Sequence, residues 1–209
     1  MRRIFVGDIQ GCREALERLV VAVGFESGRD RLLPVGDLVN KGPDSDGVLD
    51  LLIELQAEPV LGNHDLSWLR KDRTRDARHR AWLEQQPTVR IFDDVVMVHA
   101  GLHPHWREDR LLELSESERS YAVTVRYCDA DGNRPASDWP PPGPPYRPWD
   151  DFYHGSKRVV FGHWARRGLV QRPHAVGLDT GCVYGGPLTA WIAEEDRIVQ
   201  VPGYLPMSR

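Results

Sequence analysis

What most limits the folds open to this chain is an ending that recurs five times. Short apolar runs close on a glycine or histidine beside a polar side chain. Residues 4–6 (IFV) lead into Gly7-Asp8, 32–35 (LLPV) into Gly36-Asp37, and 59–61 (PVL) into Gly62-Asn63-His64-Asp65. Residues 95–98 (VVMV) lead into His99-Ala100-Gly101, and 159–161 (VVF) into Gly162-His163. Each run is continuous and rich in β-branched residues, the pattern of strands buried on both faces. Helical patterns separate the early runs. Ala15, Leu16, Leu19, Val20 and Val23 share one face of a helix that stops at Gly24. Pro43 opens a second, with Asp44 and Asp46 at its positive end and Val48, Leu49, Leu52 and Ile53 facing the core. The alternation predicts an α/β layer fold. Beyond residue 174 the runs 175–178, 187–192 and 198–201 have no helix between them, which fits one mixed sheet or two packed sheets with helices outside.

A chain of 209 residues fits a single domain, 1–209, with room for an insertion. Seven of its 16 prolines fall in 135–148, a loop that cannot form helix or central strand. With the charged helical stretch at 108–126 it reads as an insertion, 108–150, either a lid or specificity loop beside a site or a solvated loop without a role. The net charge of −4 argues against a stable nucleic-acid partner but leaves room for a small phosphorylated ligand. Cys12, Cys128 and Cys182 are odd in number and lack C-x₂-C spacing, which points to a reducing compartment rather than a disulfide framework. The N-terminus enters a strand pattern directly, with no apolar stretch for a leader or span, so a cytoplasmic protein with no membrane partner is expected.

The five endings gather Asp8, Gln10, Asp37, Asn63, His64, His99 and His163. In open α/β sheets, ligands bind outside such strand ends. Carboxylates, amide oxygens and imidazoles without a thiolate suit manganese, iron, cobalt or zinc rather than a structural cysteine-type site. One Gly-Asp at a strand end is an ordinary turn, whereas five converging endings point to a shared metal site.

In order along the chain, GDIQG, GDLVNKGP, GNHD, HAGL and GHW resemble the motifs of the dinuclear metallophosphoesterases, in the branch with the serine/threonine protein phosphatases. GDIQGC, GDLVNKGPDS, VFGHWA and LDTGCVYGGPLTA (178–190) are similar to those of the symmetrical diadenosine tetraphosphatases, over residues 4–201. The resemblance implies a four-layer αββα fold, with mixed β-sheets packed as a sandwich and flanked by helices. It implies two divalent metal ions: Asp8 and Gln10 on the first, Asp37 bridging, and Asn63, His99 and His163 on the second. His64 would be the general acid, and Lys41 stands where the family carries a phosphate-gripping arginine. Arg126 matches a second phosphate-binding arginine. Two cations about 3.5–4 Å apart can share a water, lower its pKa and aim it in line at phosphorus. Lys41 and Arg126 would then clamp the charge that spreads over the non-bridging oxygens.

Other residues carry open readings. His64 could instead cap the following helix or order Asp65. Asp179, which begins DTG, could orient a ligand from behind or form an ordinary turn. Trp139, Tyr146, Trp149, Trp164 and Tyr184 could stack on adenine or fill gaps in the core. His79, His103 and His105 are expected to be exposed, and His154 is unassigned. The protein-phosphatase branch pairs the histidine of GNH with an aspartate three residues after the bridging one. Asn40 occupies that position here and supplies no charge.

The function expected is hydrolysis of a phosphoanhydride, with diadenosine tetraphosphate cut into two ADP by a hydroxide bridging the two metals. The alternatives are a phosphatase acting on phosphoproteins or small phosphoesters, and an inactive fold retained as a binder. Gln10 stands where the family has histidine. Its amide oxygen is neutral, as the imidazole is, but harder, which favours manganese over zinc at a weakly held first site.

Overall fold

The computed structural model describes residues 1–73 and 76–204. The chain begins with β1 (Arg2–Val6), α1 (Arg13–Ala22), β2 (Asp30–Pro34), α2 (Ser45–Glu54), α3 (Asn63–Arg70) and α4 (Ala77–Glu84). It continues with β3 (Val89–Ile91), β4 (Val95–Val98), α5 (Glu116–Ala122), β5 (Tyr127–Cys128) and β6 (Arg147–Pro148). It closes with β7 (Arg158–Phe161), β8 (Val170–Arg172), β9 (Ala175–Gly177), β10 (Leu188–Ile192) and β11 (Arg197–Val201). One sheet has the order β11-β10-β1-β2, with β1 parallel to β2 and antiparallel to β10. The other has the order β3-β4-β7-β9-β8, a parallel centre of β4, β7 and β9 between two antiparallel edges.

Side chains alternate across a strand, so each apolar run feeds two cores. Ile4, Val6, Leu32, Ala190 and Ile192 face α1 to α4, while Phe5, Leu33 and Trp191 turn inward. From the second sheet Val95, Met97, Val160 and Val176 meet them, and Val96, Val98, Val159 and Phe161 point away into a third core. Leu111, Ala122 and the fully buried Trp149 cover that outer face. The result is the αββα layering, and uninterrupted apolarity in these strands follows from burial on both sides.

Four local expectations are corrected. Residues 59–61 form no ladder strand. Glu58 N–H and Val60 N–H donate to the carbonyls of Leu32 and Pro34 at 2.9 and 3.1 Å, but Pro34 has no N–H to return. The second helix starts at Ser45, with Pro43 outside it and the Asp44 carboxylate capping Gly47 N–H at 2.8 Å. The stretch 108–126 is a 3₁₀ turn (Glu108–Leu112) and then α5, because Ser115 and Glu118 form a capping box that starts a new helix. His79 is buried, with its Nε2 2.9 Å from the Asp50 carboxylate.

Candidate metal centre

The loops after β1 and β2 are laced together by backbone bonds. Ile9 and Gln10 N–H both donate to the Asp37 carbonyl, at 3.1 and 2.8 Å, and Gly42 N–H donates to the Gln10 carbonyl at 2.8 Å. Tight lacing forces unusual dihedrals. Of eight non-glycine residues with positive φ among those described, four lie in these loops, Gln10 (47°), Asp37 (52°), Asn40 (78°) and Lys41 (62°), and a fifth, His163 (66°), follows β7 beside them. Such conformations cost about 1–3 kcal/mol each and persist where surrounding structure over-determines them. Two glycines let the loops close. Gly36 has φ 99°, and a Cβ there would lie 2.6 Å from Gly62 N and 2.8 Å from His99 Nδ1. A Cβ on Gly162 would lie 2.0 Å from an Asp8 carboxylate oxygen.

The polar geometry suits a cation. His99 Nδ1 lies 2.9 Å from the Val35 carbonyl, so that nitrogen carries the proton and Nε2 holds a lone pair. That lone pair faces Asn63 Oδ1 at 3.2 Å and Asp37 Oδ1 at 3.3 Å, two further acceptors. Protonating Nε2 would relieve the clash, but burial pushes the His99 pKa down to about 4. His163 follows the same logic. Its Nε2 lies 3.2 Å from the Thr124 carbonyl and so carries the proton, burial lowers its pKa, and Nδ1 is left with a free lone pair. Imidazoles fixed by a backbone carbonyl on one nitrogen are how proteins orient metal ligands. Ligand atoms of Asp37, His99 and His163 all lie within 4.8 Å of one another, a candidate metal-binding triad.

Buried carboxylates supply the charge. Burial, reinforced by Asp179 and Asp37, raises the Asp8 pKa well above the usual range, and burial raises Asp37 to about 6. Burial raises Asp179 as well. Asp65 rises to about 7 through burial and the charge of Asp37. Four such groups beside neutral imidazoles fit divalent cations of oxygen-and-nitrogen preference.

The sequence pattern of the calcineurin-like phosphoesterase family matches residues 1–167. The chain belongs to that family. A symmetrical bis(5′-nucleosyl)-tetraphosphatase of Acidovorax sp. (strain JS42) is 33% identical to this phosphoesterase over 88% of its length and 89% of the relative's. That alignment runs over 254 positions, more than this phosphoesterase has residues, so the relative carries extra residues within the aligned range. The protein of the same name from Shewanella sp. (strain MR-7) is 33% identical over 94% of this chain and 96% of its own. A solved structure described as a candidate diadenosine tetraphosphatase is 39% identical, with a TM-score of 0.86 over 98% of this chain and 95% of that one.

The remaining expected residues of the phosphoesterase gather around the same point. His163 N–H donates to Asp8 at 3.0 Å, and Gln10 Nε2 donates to Asp37 Oδ2 at 3.1 Å, which leaves the Gln10 side-chain carbonyl oxygen as its remaining acceptor. Asp179 accepts from Gly181 N–H at 3.0 Å and meets Asp8. His64 N–H donates to Asp37 at 2.8 Å. A cleft of about 860 Å³ opens here, with Gln10, Asp37, His64 and His163 in its wall. Both expected phosphate grips reach it but hold internal partners: Lys41 Nζ the Tyr184 hydroxyl, and Arg126 the Asp138 carboxylate at 3.1 Å and the His163 carbonyl at 3.3 Å. Trp149 is ruled out as a base-stacking surface by its complete burial.

Two contributors escaped sequence reasoning. Asp65, fully buried, accepts from Leu38 N–H (2.8 Å), Val39 N–H (3.3 Å) and Gly62 N–H (2.8 Å), tying the Asp37 loop to the start of α3. Its place three residues after Gly62 is a capping signal that was open to reading. Asp138, inside the proline-rich loop, has no local signal because its partner comes from elsewhere in the chain.

Proposed function

We propose that this phosphoesterase hydrolyses diadenosine tetraphosphate symmetrically to two ADP with two divalent metal ions, manganese preferred. The names of the curated relatives support the substrate class. The observation that decides for an anhydride over a phosphoester is the contact between Asn40 and His64. Asn40 Nδ2 lies 2.7 Å from His64 Nδ1, and its carbonyl oxygen is turned to Arg73 at 3.4 Å. An amide N–H pointed at Nδ1 fixes His64 as the neutral tautomer with its proton on Nε2. Burial lowers its pKa, and Lys41 and His99 add to that against the opposing charge of Asp37. A histidine held neutral is a poor proton donor. A serine alkoxide needs a proton as it leaves, whereas ADP departs from an anhydride as a weak base without one.

In this reading Asp8 and Gln10 would hold the first ion, Asp37 would serve both, and Asn63, His99 and His163 would hold the second. The ions, when bound, supply Lewis-acid charge and an acidified water for in-line attack at phosphorus. Asp65 and the laced loops keep the ligands in place. Lys41 exchanges Tyr184 for phosphate oxygens and Arg126 exchanges Asp138, and both neutralise charge as it spreads in the transition state. His64 donates a hydrogen bond from Nε2 to the departing phosphate. Hard oxygen donors from Asp8, Gln10, Asp37 and Asn63 favour manganese. No helix among the described residues is long and apolar enough to cross a membrane.

The test compares kcat/KM, with added manganese, for diadenosine tetraphosphate, a phosphoserine peptide and p-nitrophenyl phosphate. The anhydride should lead by at least a hundredfold, and a phosphopeptide turned over as well or better overturns the proposal.

A further inference from the structure

Trp139 and Tyr184 are the two exposed members among the described Phe, Trp and Tyr residues, at 61% and 64%, and both line the same cleft. Each carries a cation on its ring. The Arg166 guanidinium lies 4.3 Å from the Trp139 centroid, and Lys41 Nζ lies 4.8 Å from that of Tyr184. Both rings are presented from braced turns. Trp139 N–H donates to Ser137 Oγ at 3.1 Å, and Ser137 Oγ donates to the Trp139 carbonyl at 2.8 Å. Tyr184 ends a 3₁₀ turn (Cys182–Tyr184) between Gly181 and Gly185, both with positive φ, and its N–H donates to the Gly181 carbonyl at 2.8 Å. The two rings connect to the expected metal ligands through different residues. Trp139 adjoins Asp138, whose partner Arg126 holds the His163 carbonyl, whereas Lys41 follows Asn40, which holds His64.

We infer that Trp139, with Arg166 on its ring, and Tyr184, whose Lys41 moves to the phosphate chain, are two nucleobase platforms, one for each end of a dinucleoside polyphosphate whose phosphate chain lies between them. This rests on the substrate reading above and adds what determines specificity. A solvent-facing aromatic ring in the cleft suits a purine, since stacking tolerates any base, and at Trp139 the Arg166 guanidinium adds attraction to the π-system. Because both rings stand on hydrogen-bonded turns, less backbone entropy is lost when a base arrives.

Kinetics on Trp139→Ala, Tyr184→Ala, the double variant, Trp139→Phe and Tyr184→Phe test it. The probes are diadenosine tetraphosphate as substrate and base-free inorganic tripolyphosphate as competitive inhibitor. Each alanine variant should raise KM for the dinucleotide by roughly 5- to 100-fold, the double variant further, with the tripolyphosphate Ki within twofold of the parent. The phenylalanine variants, which keep a ring, should recover most of the loss. The inference fails if KM rises no more than Ki, or if phenylalanine fares no better than alanine. If the parent chain leaves diadenosine tetraphosphate intact, the substrate reading falls instead. The platforms are then judged by equilibrium binding of ADP, which should weaken at least fivefold in one of the alanine variants and in neither phenylalanine variant. Unchanged ADP binding overturns them.

Discussion

Asn40→Asp isolates the reason assigned to anhydride preference. Asn40 sits at φ 78°, a conformation that aspartate adopts nearly as readily as asparagine, so the backbone is little disturbed. The substitution replaces an N–H donor 2.7 Å from His64 Nδ1 with an acceptor, and Nδ1 must then carry a proton. A carboxylate so close raises an imidazole pKa by about 1–3, and the partial exposure of His64 favours the lower half of that range. His64 begins below its ordinary value of 6.5. At pH 7.5 the parent's imidazolium fraction is below about a tenth, and a pKa rise of about 1 multiplies it by up to about ten. Cleavage of a phosphoserine peptide, limited by protonation of the alkoxide, should gain about tenfold in kcat, while diadenosine tetraphosphate should change by less than about threefold. Rates on both substrates between pH 6 and 9 provide the assay, with the imidazole titration followed by NMR. If the pKa rises but both substrates respond by the same factor, proton demand of the leaving group does not govern selectivity here.

Gln10→His should tighten the first metal on the order of tenfold and move the optimum from manganese toward zinc or cobalt. Metal titration against a chelator checks this, and an unchanged profile removes Gln10 from the ligand set. Gly36→Ala should cost roughly 3–5 kcal/mol by urea unfolding, because a side chain at φ 99° also meets Gly62 N and His99 Nδ1, and a loss under about 1 kcal/mol contradicts the close packing drawn here. Asp65→Asn tests the buried charge. The Asp65 pKa is about 7 folded against 3.8 as its ordinary value, so the folded parent holds the extra proton and loses stability as pH rises from about 4 to about 7. The metal-free variant should gain on the parent across that window, approaching about 1.4 kcal/mol per pH unit at mid-window, and a pH-independent difference refutes it.

The strand ends were legible because a buried strand can afford a polar residue only where it leaves the sheet. Which sheet each strand joins was not. Ile4, Phe5 and Val6 read as one apolar run, yet Phe5 faces one core and its neighbours another, and apolarity on both faces carries no direction. The 59–61 segment misled because the missing partner was an N–H of Pro34, a residue in a different run. His79 and Trp149 sit in charged or proline-rich surroundings that look exposed, and the contacts that bury them come from distant segments: Asp50, 29 residues away, and Phe161 across the third core. At the site the candidate ligands could be read singly. The lone-pair convergence of His99, Asn63 and Asp37 needed coordinates, since tautomers follow from which carbonyl each ring meets.

The central claim is tested most directly by separating the nucleotide products of diadenosine tetraphosphate after incubation with the manganese-loaded chain. Symmetric cleavage predicts ADP alone, two per substrate consumed. ATP and AMP in equal amounts would contradict it.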